Sequence, residues 1–230
     1  MGAAASSIVT TDKTNPLECT GCDFMKRGKK PYTHVYAPAG TIPPIPASEI
    51  FADALKKLNS FRAMHGSAPL KLALGAASVT AMANAITIGN KFKESGCKML
   101  THTGNTGEGK DRPIVGQNTY AITLGGMNYT AETVSNLVSA AVDLWHDEMN
   151  SPTPYFDAET GKPISETLVP NRKNFTQLIW QGSTEVAFGL TVVECLNMPW
   201  LIVVANFNPP GNTVSPPGEF VKNVHRGMSE

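Results

Sequence analysis

No run of apolar residues in this chain approaches the ~20 that a membrane-spanning helix requires, and the N-terminus lacks the apolar core and cleavage site of a secretory signal. Net charge is lacking as well. The 19 Lys and Arg balance the 19 Asp and Glu, so no overall field recruits nucleic acid or favours an acidic substrate. Cysteine is scarce: Cys19, Cys22, Cys97 and Cys195 are too few and too scattered for the dense disulfide framework of a small secreted scaffold. From these absences the chain is expected to be cytoplasmic and not secreted, with reduced thiols. On that reading Cys97 and Cys195 are small packing residues, and the N-x-T sequons at Asn128 and Asn174 carry no glycan. G-x-S-x-G is missing too, so nothing marks a serine nucleophile.

What is present suits one domain of ordinary size with a tail, since 230 residues at 41% hydrophobic and 17% charged can bury a real core. Residues 1–47 read as an extended tail. They open MGAAASS and carry a basic cluster of Lys26, Arg27, Lys29 and Lys30. Four prolines between Pro38 and Pro46 then disfavour helix. From Ser48 a helical stripe begins with Phe51, Ala54, Leu55, Leu58 and Phe61, and the small apolar residues of 72–93 suit a buried helix. The polar, glycine-rich stretch 95–130 predicts loops with one short strand.

Residues 132–149 form the clearest amphipathic helix, with Val134, Leu137, Val138, Ala141, Leu144 and Trp145 on its apolar stripe. NFTQLIWQGSTEVAFGL at 174–190 turns from a bend into a strand, since Val186, Phe188, Leu190 and Val192 share one parity. WLIVVANFN at 200–208 is dense enough for a central strand, stopped by Pro209, Pro210 and Gly211. Helices early and strands late predict an α+β domain over 48–224, its sheet covered by helices, with a short C-terminal tail at 225–230.

Six stretches then occur in a telling order: LNSFRAMHGSAPLKL (58–72), LTHTG (100–104), GQNTY (116–120), LWHDEMNSPTPY (144–155), NFTQLIWQGSTEVAFGL (174–190) and VVANFNPPGN (203–212). Together they resemble the CAP superfamily of cysteine-rich secretory, antigen-5 and pathogenesis-related proteins, over about residues 48–224. Among its branches the chain is most similar to the intracellular Golgi-associated one. The resemblance implies a three-layer α–β–α sandwich. It also implies a cavity around which many members hold two histidines and two glutamates able to bind a divalent metal.

By that resemblance the four positions fall on His102, Gln117, Glu148 and Asn174, so one histidine, one carboxylate and two amides remain. A neutral amide is a poor ligand for zinc and its relatives but both donates and accepts hydrogen bonds. The expectation is therefore a satisfied polar cluster, with no metal, no cofactor and no catalysis. Glu148 shares a helical stripe with Ala141 and Leu144, which aims its carboxylate inward. A buried carboxylate needs a partner, and His102 is the one the resemblance offers. His65 and His146 read as structural or surface groups. Cys19 and Cys22, though spaced C-x-x-C, lack a second ligand pair and read as two tail thiols.

The tail carries the functional handle. MGAAAS fits the N-myristoylation pattern with Gly2 as acceptor, and the resembling branch begins with such a motif. One acyl chain binds membranes only marginally. The basic patch, or palmitoylation of Cys19 or Cys22, supplies the second signal. The expected function is a non-catalytic binding protein that associates with membrane lipid through its cavity face and tail. The alternative is a component of a protein assembly with residues 1–47 laid along partner subunits. A homodimer is compatible with either, a nucleic-acid partner with neither, and a metal-dependent hydrolase is least favoured.

Overall fold

The computed structural model describes residues 47–103, 115–127, 130–150, 153–165, 169 and 171–227. The lipidation candidates Gly2, Cys19 and Cys22 and the basic patch of Lys26, Arg27, Lys29 and Lys30 lie outside them. Helix α1 (Ala47–Met64) presents Phe51, Ala54 and Leu58 to the interior, as its three- and four-residue spacing requires. A short strand β1 (Lys71–Leu72) leads into α2 (Ala76–Glu94). Strand β2 (Gly116–Thr123) follows, then α3 (Ala131–Asp147) with a 3-10 turn at Glu148–Asn150, and the short α4 (Lys173–Leu178). Strands β3 (Glu185–Cys195) and β4 (Met198–Asn208) form a hairpin, and α5 (Glu219–Asn223) ends the fold.

The sheet order is β1-β3-β4-β2, antiparallel except for the parallel β1–β3 pair, so β4 is central as its apolar density predicts. Helices α1, α3 and α4 lie on one side of the sheet and α2 on the other, which gives the α–β–α layering. The larger core fills the first side with Leu58, Trp145, Phe175, Phe188, Leu190, Val203 and Phe207. The smaller one joins Ala85, Ile88 and Phe92 of α2 to Val193, Ile202 and Val204. Helix α2 approaches the sheet closely because Gly89 and Gly189 leave it room. A Cβ on Gly89 would stand 2.8 Å from Val193 Cγ1, and one on Gly189 would overlap the Ala81 carbonyl.

Four expectations need correction. The strand expected in 95–130 is β2, which at eight residues is longer than the short strand the glycine-rich composition predicts. Helix α2 is buried on one face only, since Val79, Met82 and Ile86 are exposed. Leu144 is 41% exposed and leaves the inward stripe of α3. Most consequential, Cys97 and Cys195 form a disulfide with their Cα atoms 6.2 Å apart, joining the loop after α2 to the end of β3. They do so because α2 runs along β3, Ala81 over Gly189 and Gly89 over Thr191 and Val193, which delivers Cys97 to Cys195. No described helix is long and apolar enough to cross a membrane.

Candidate functional site

Strand β2 is an edge of the sheet, and an edge strand leaves backbone donors and acceptors without a ladder partner. Here side chains from the helical layer take that role. Trp145 Nε1 of α3 donates to the Thr119 carbonyl at 3.0 Å, and the Thr119 amide donates to Asn174 Oδ1 at 3.3 Å. Asn118 Nδ2 donates to the Asn174 carbonyl at 2.8 Å. Asn174 thus faces β2 with its acceptors and Glu148 with its donors. Its Nδ2 donates to Glu148 Oε1 at 2.6 Å and its backbone amide to Oε2 at 2.9 Å, with the Phe175 amide reaching the same oxygen at 3.1 Å. An amide side chain can accept from β2 and donate to a carboxylate in one conformation, which suits an asparagine there.

Glu148 therefore takes its partners from Asn174 and Phe175, and the expectation that His102 pairs with it is corrected. It stands where α3 gives way to the 3-10 turn, and its carboxylate receives the free amides at the start of α4. Burial raises its pKa, opposed by those three hydrogen bonds and by the charge of Arg172. Arg172 is itself buried, donating to the Met149 and Thr153 carbonyls and lying over the Tyr155 ring.

His102 and Gln117 form a second group on the α2 side of the sheet. Gln117 Oε1 accepts from the Thr103 amide at 3.0 Å, and Nε2 donates to Asn206 Oδ1 at 2.9 Å and Thr103 Oγ1 at 3.2 Å. His102 shares a side-chain hydrogen bond with Gln117, yet burial, with the nearby Lys173 charge, holds its pKa below the ordinary imidazole value. Among the described residues His102 Nδ1 and Asn206 Nδ2 are buried without a hydrogen-bond partner.

The four residues are thus two pairs, Glu148 with Asn174 at the edge of β2 and His102 with Gln117 behind it. They do not fit a divalent metal. Two members are amides, the only carboxylate is occupied by three donors, and no three His, Cys, Asp or Glu side chains among the described residues come together as a ligand group. A cavity of about 440 Å³ opens elsewhere, lined by Trp180, Gln181, Pro210, Glu219, Lys222 and His225 among others, and none of the four residues is on its wall.

Sequence reasoning passed over two buried groups, Arg62 and Gln177, and left a third, His65 with His146, open between structural and surface. Arg62 is fully buried with no acidic partner among the described residues, and its guanidinium donates to the carbonyls of Ala68, Leu178, Trp180 and Ser183. Burial lowers its pKa to about 10. Gln177 of α4 holds the Gly211 amide at 2.8 Å, in space that a side chain on Gly116 would fill. His65 and His146 are both buried and face each other. The only signal was a polar residue at each inward helical position, which in the sequence is indistinguishable from a surface group.

The family profile described as CAP, cysteine-rich secretory protein family, matches residues 55–207. The chain belongs to that family. Among solved structures it is similar to NaASP2 with Zn2+, at 18% identity over 82% of this chain and 92% of that one, with a TM-score of 0.49. BmVAL-1 is similar at 17% identity over 85% and 88%, with a TM-score of 0.47. Schistosoma mansoni venom allergen-like protein 4 is similar at 19% identity over 79% and 92%, with a TM-score of 0.34. Comparison with curated protein sequences gives no match.

Proposed function

We propose that this member of the CAP family is a non-catalytic binding protein that works at a membrane surface, its N-terminal segment serving as the handle and its domain as the docking body. One observation carries the non-catalytic part. Glu148, the carboxylate that family chemistry would use, accepts from Asn174 Nδ2 and from the Asn174 and Phe175 amides, which leaves it structural work at the start of α4. The amides at 117 and 174 support the same reading, because neither activates water nor holds a metal as imidazole or carboxylate does. The membrane part is supported by the acylation pattern at Gly2 and the lysine-rich cluster at 26–30.

The compartment turns on thiol state. Disulfides persist in oxidising compartments, so the Cys97–Cys195 pair weighs toward one, whereas reduced thiols belong to the cytoplasm. The intact mass of the native protein under non-reducing conditions reads both questions, the loss of two hydrogens at the cysteines and an acyl group on Gly2. Gly2→Ala is expected to move an acylated chain from the membrane to the soluble fraction. Unchanged partitioning would count against the membrane reading and in favour of a protein assembly held through residues 1–47.

A further inference from the structure

From Leu72 to Asn90 the chain carries no charged residue, and this stretch contains almost the whole of α2. The helix buries one face, Ala81, Ala85, Ile88 and Phe92, against β3 and β4. One flank of its solvent side is apolar: Val79 is 70% exposed, Ile86 48% and Met82 37%, beside exposed Ala83 and the uncharged Thr80, Thr87 and Asn90. A surface helix ordinarily turns polar residues outward, and a contiguous outward apolar patch marks an interaction surface. Leu74 extends the patch before the helix, at 63% exposed. At the other end the Cys97–Cys195 disulfide fastens the loop bearing exposed Met99 to the hairpin tip bearing exposed Leu196.

Charge decides what this face fits. The stripe Val79–Met82–Ile86 continues, at the same seven-residue spacing, onto Lys93. Exposed Lys71 stands before α2 and exposed Lys91 and Lys98 around its end, against Glu94 on the helix and Glu194 beside the hairpin tip. A second copy laid on this face would gain apolar contact but would set Lys93 against Lys93 in a parallel pair. An antiparallel pair would set it against the positive end of the partner helix. An anionic lipid surface accepts both features, apolar side chains at the acyl boundary and lysines among the headgroups.

We propose that the outer face of α2 is a docking surface for anionic lipid bilayers and sets the orientation in which the domain lies on a membrane. This rests on the membrane reading above but is independent of acylation.

The test uses the unacylated full-length chain, sedimented with phosphatidylcholine vesicles with or without phosphatidylserine. Binding is expected only to the vesicles containing phosphatidylserine, and Val79→Glu with Ile86→Glu is expected to weaken it by about tenfold or more. Lys91→Ala with Lys93→Ala is expected to weaken it to a similar degree and to flatten its salt dependence, since it removes charges that added salt would otherwise screen. Because all four side chains are exposed, the variants are expected to keep the wild-type melting temperature. Binding that survives both double variants would overturn the proposal, as would a wild-type dimer that Val79→Glu with Ile86→Glu dissolves. Gly2→Ala partitioning in cells is read separately, so failure of the acylation reading and failure of this one give different results.

Discussion

His65 and His146 meet Nε2 to Nε2 at 3.1 Å, between α1 and the last turn of α3, with Phe61 stacked on His146 and Phe175 edge-on to both rings. Their protons follow from one neighbour. His65 Nδ1 lies 2.7 Å from the His225 carbonyl, which can only accept, so Nδ1 carries the hydrogen and Nε2 is bare. His146 therefore donates its Nε2–H, and its own Nδ1 is the atom that would take a proton. Both imidazoles are held neutral, mainly by burial, and for His146 also by the neighbouring His65, which brings it down to about 4.

The sign of the resulting pH dependence is fixed. A depressed folded pKa means that the stabilisation is complete above the ordinary histidine value of about 6.5 and is lost as pH falls toward about 4. The loss is expected to reach about 3 kcal/mol. Urea unfolding measured from pH 7.5 to pH 4 checks it, and His146→Phe should flatten the profile while costing a hydrogen bond at neutral pH. A wild-type profile with no slope in this window would refute the assignment.

Glu148 and Asn174 should be coupled. Replacing Glu148 with Gln leaves three donors facing one remaining acceptor, and is expected to cost about 1–3 kcal/mol. Asn174→Ala strands the Thr119 amide on β2 as well as freeing Glu148, with a similar cost. The double variant should fall short of the sum by about 1 kcal/mol, read as a double-mutant cycle in urea. Strict additivity would mean that the bond between them contributes nothing.

Arg62 is expected to tolerate almost no replacement. Its four carbonyl acceptors include Leu178 and Trp180 at the end of α4, and no other described side chain is hydrogen-bonded to them. Arg62→Met fills the volume but leaves buried acceptors unpaired, and is expected to cost about 3 kcal/mol or more. Arg62→Lys keeps a charge yet loses the planar fork, and should recover only part of the loss. Thermal unfolding of the two variants side by side distinguishes geometry from charge.

Reduction of Cys97–Cys195 should lower stability by about 2–5 kcal/mol, because the bond closes a loop with a sequence separation of 98. The check is the urea midpoint with and without reductant, with Cys97→Ser as the control that reductant no longer affects.

Much of the architecture was legible because it is written in periodicity. The stripe of α3 and the apolar run of β4 are each dictated by one packed face, and both elements formed where expected. Strand β2 was legible only as one short strand among loops because five of its eight residues are buried, polar ones included. Gln117, Asn118 and Thr119 can lie inside only because Asn206, Asn174, Thr103 and Trp145 answer them, and none of those partners is near in sequence. The sequence names four residues for the candidate site but not their division into two pairs. Which amide faces which neighbour depends on the edge position of β2, set by strand order and not by local pattern. The partnerships of His65 with His146 and of Cys97 with Cys195 span 81 and 98 residues, beyond the reach of any local spacing rule.

The Cys97–Cys195 bond also changes what a protease can achieve. A single cut anywhere between the two cysteines, including in the long connection after α2 or in the loops on either side of α4, leaves two fragments still covalently joined. Strand β4 would then stay tethered to α2 across the wound. A nicked chain would run as intact mass plus one water until a reductant releases the pieces, and would keep its sheet assembled meanwhile.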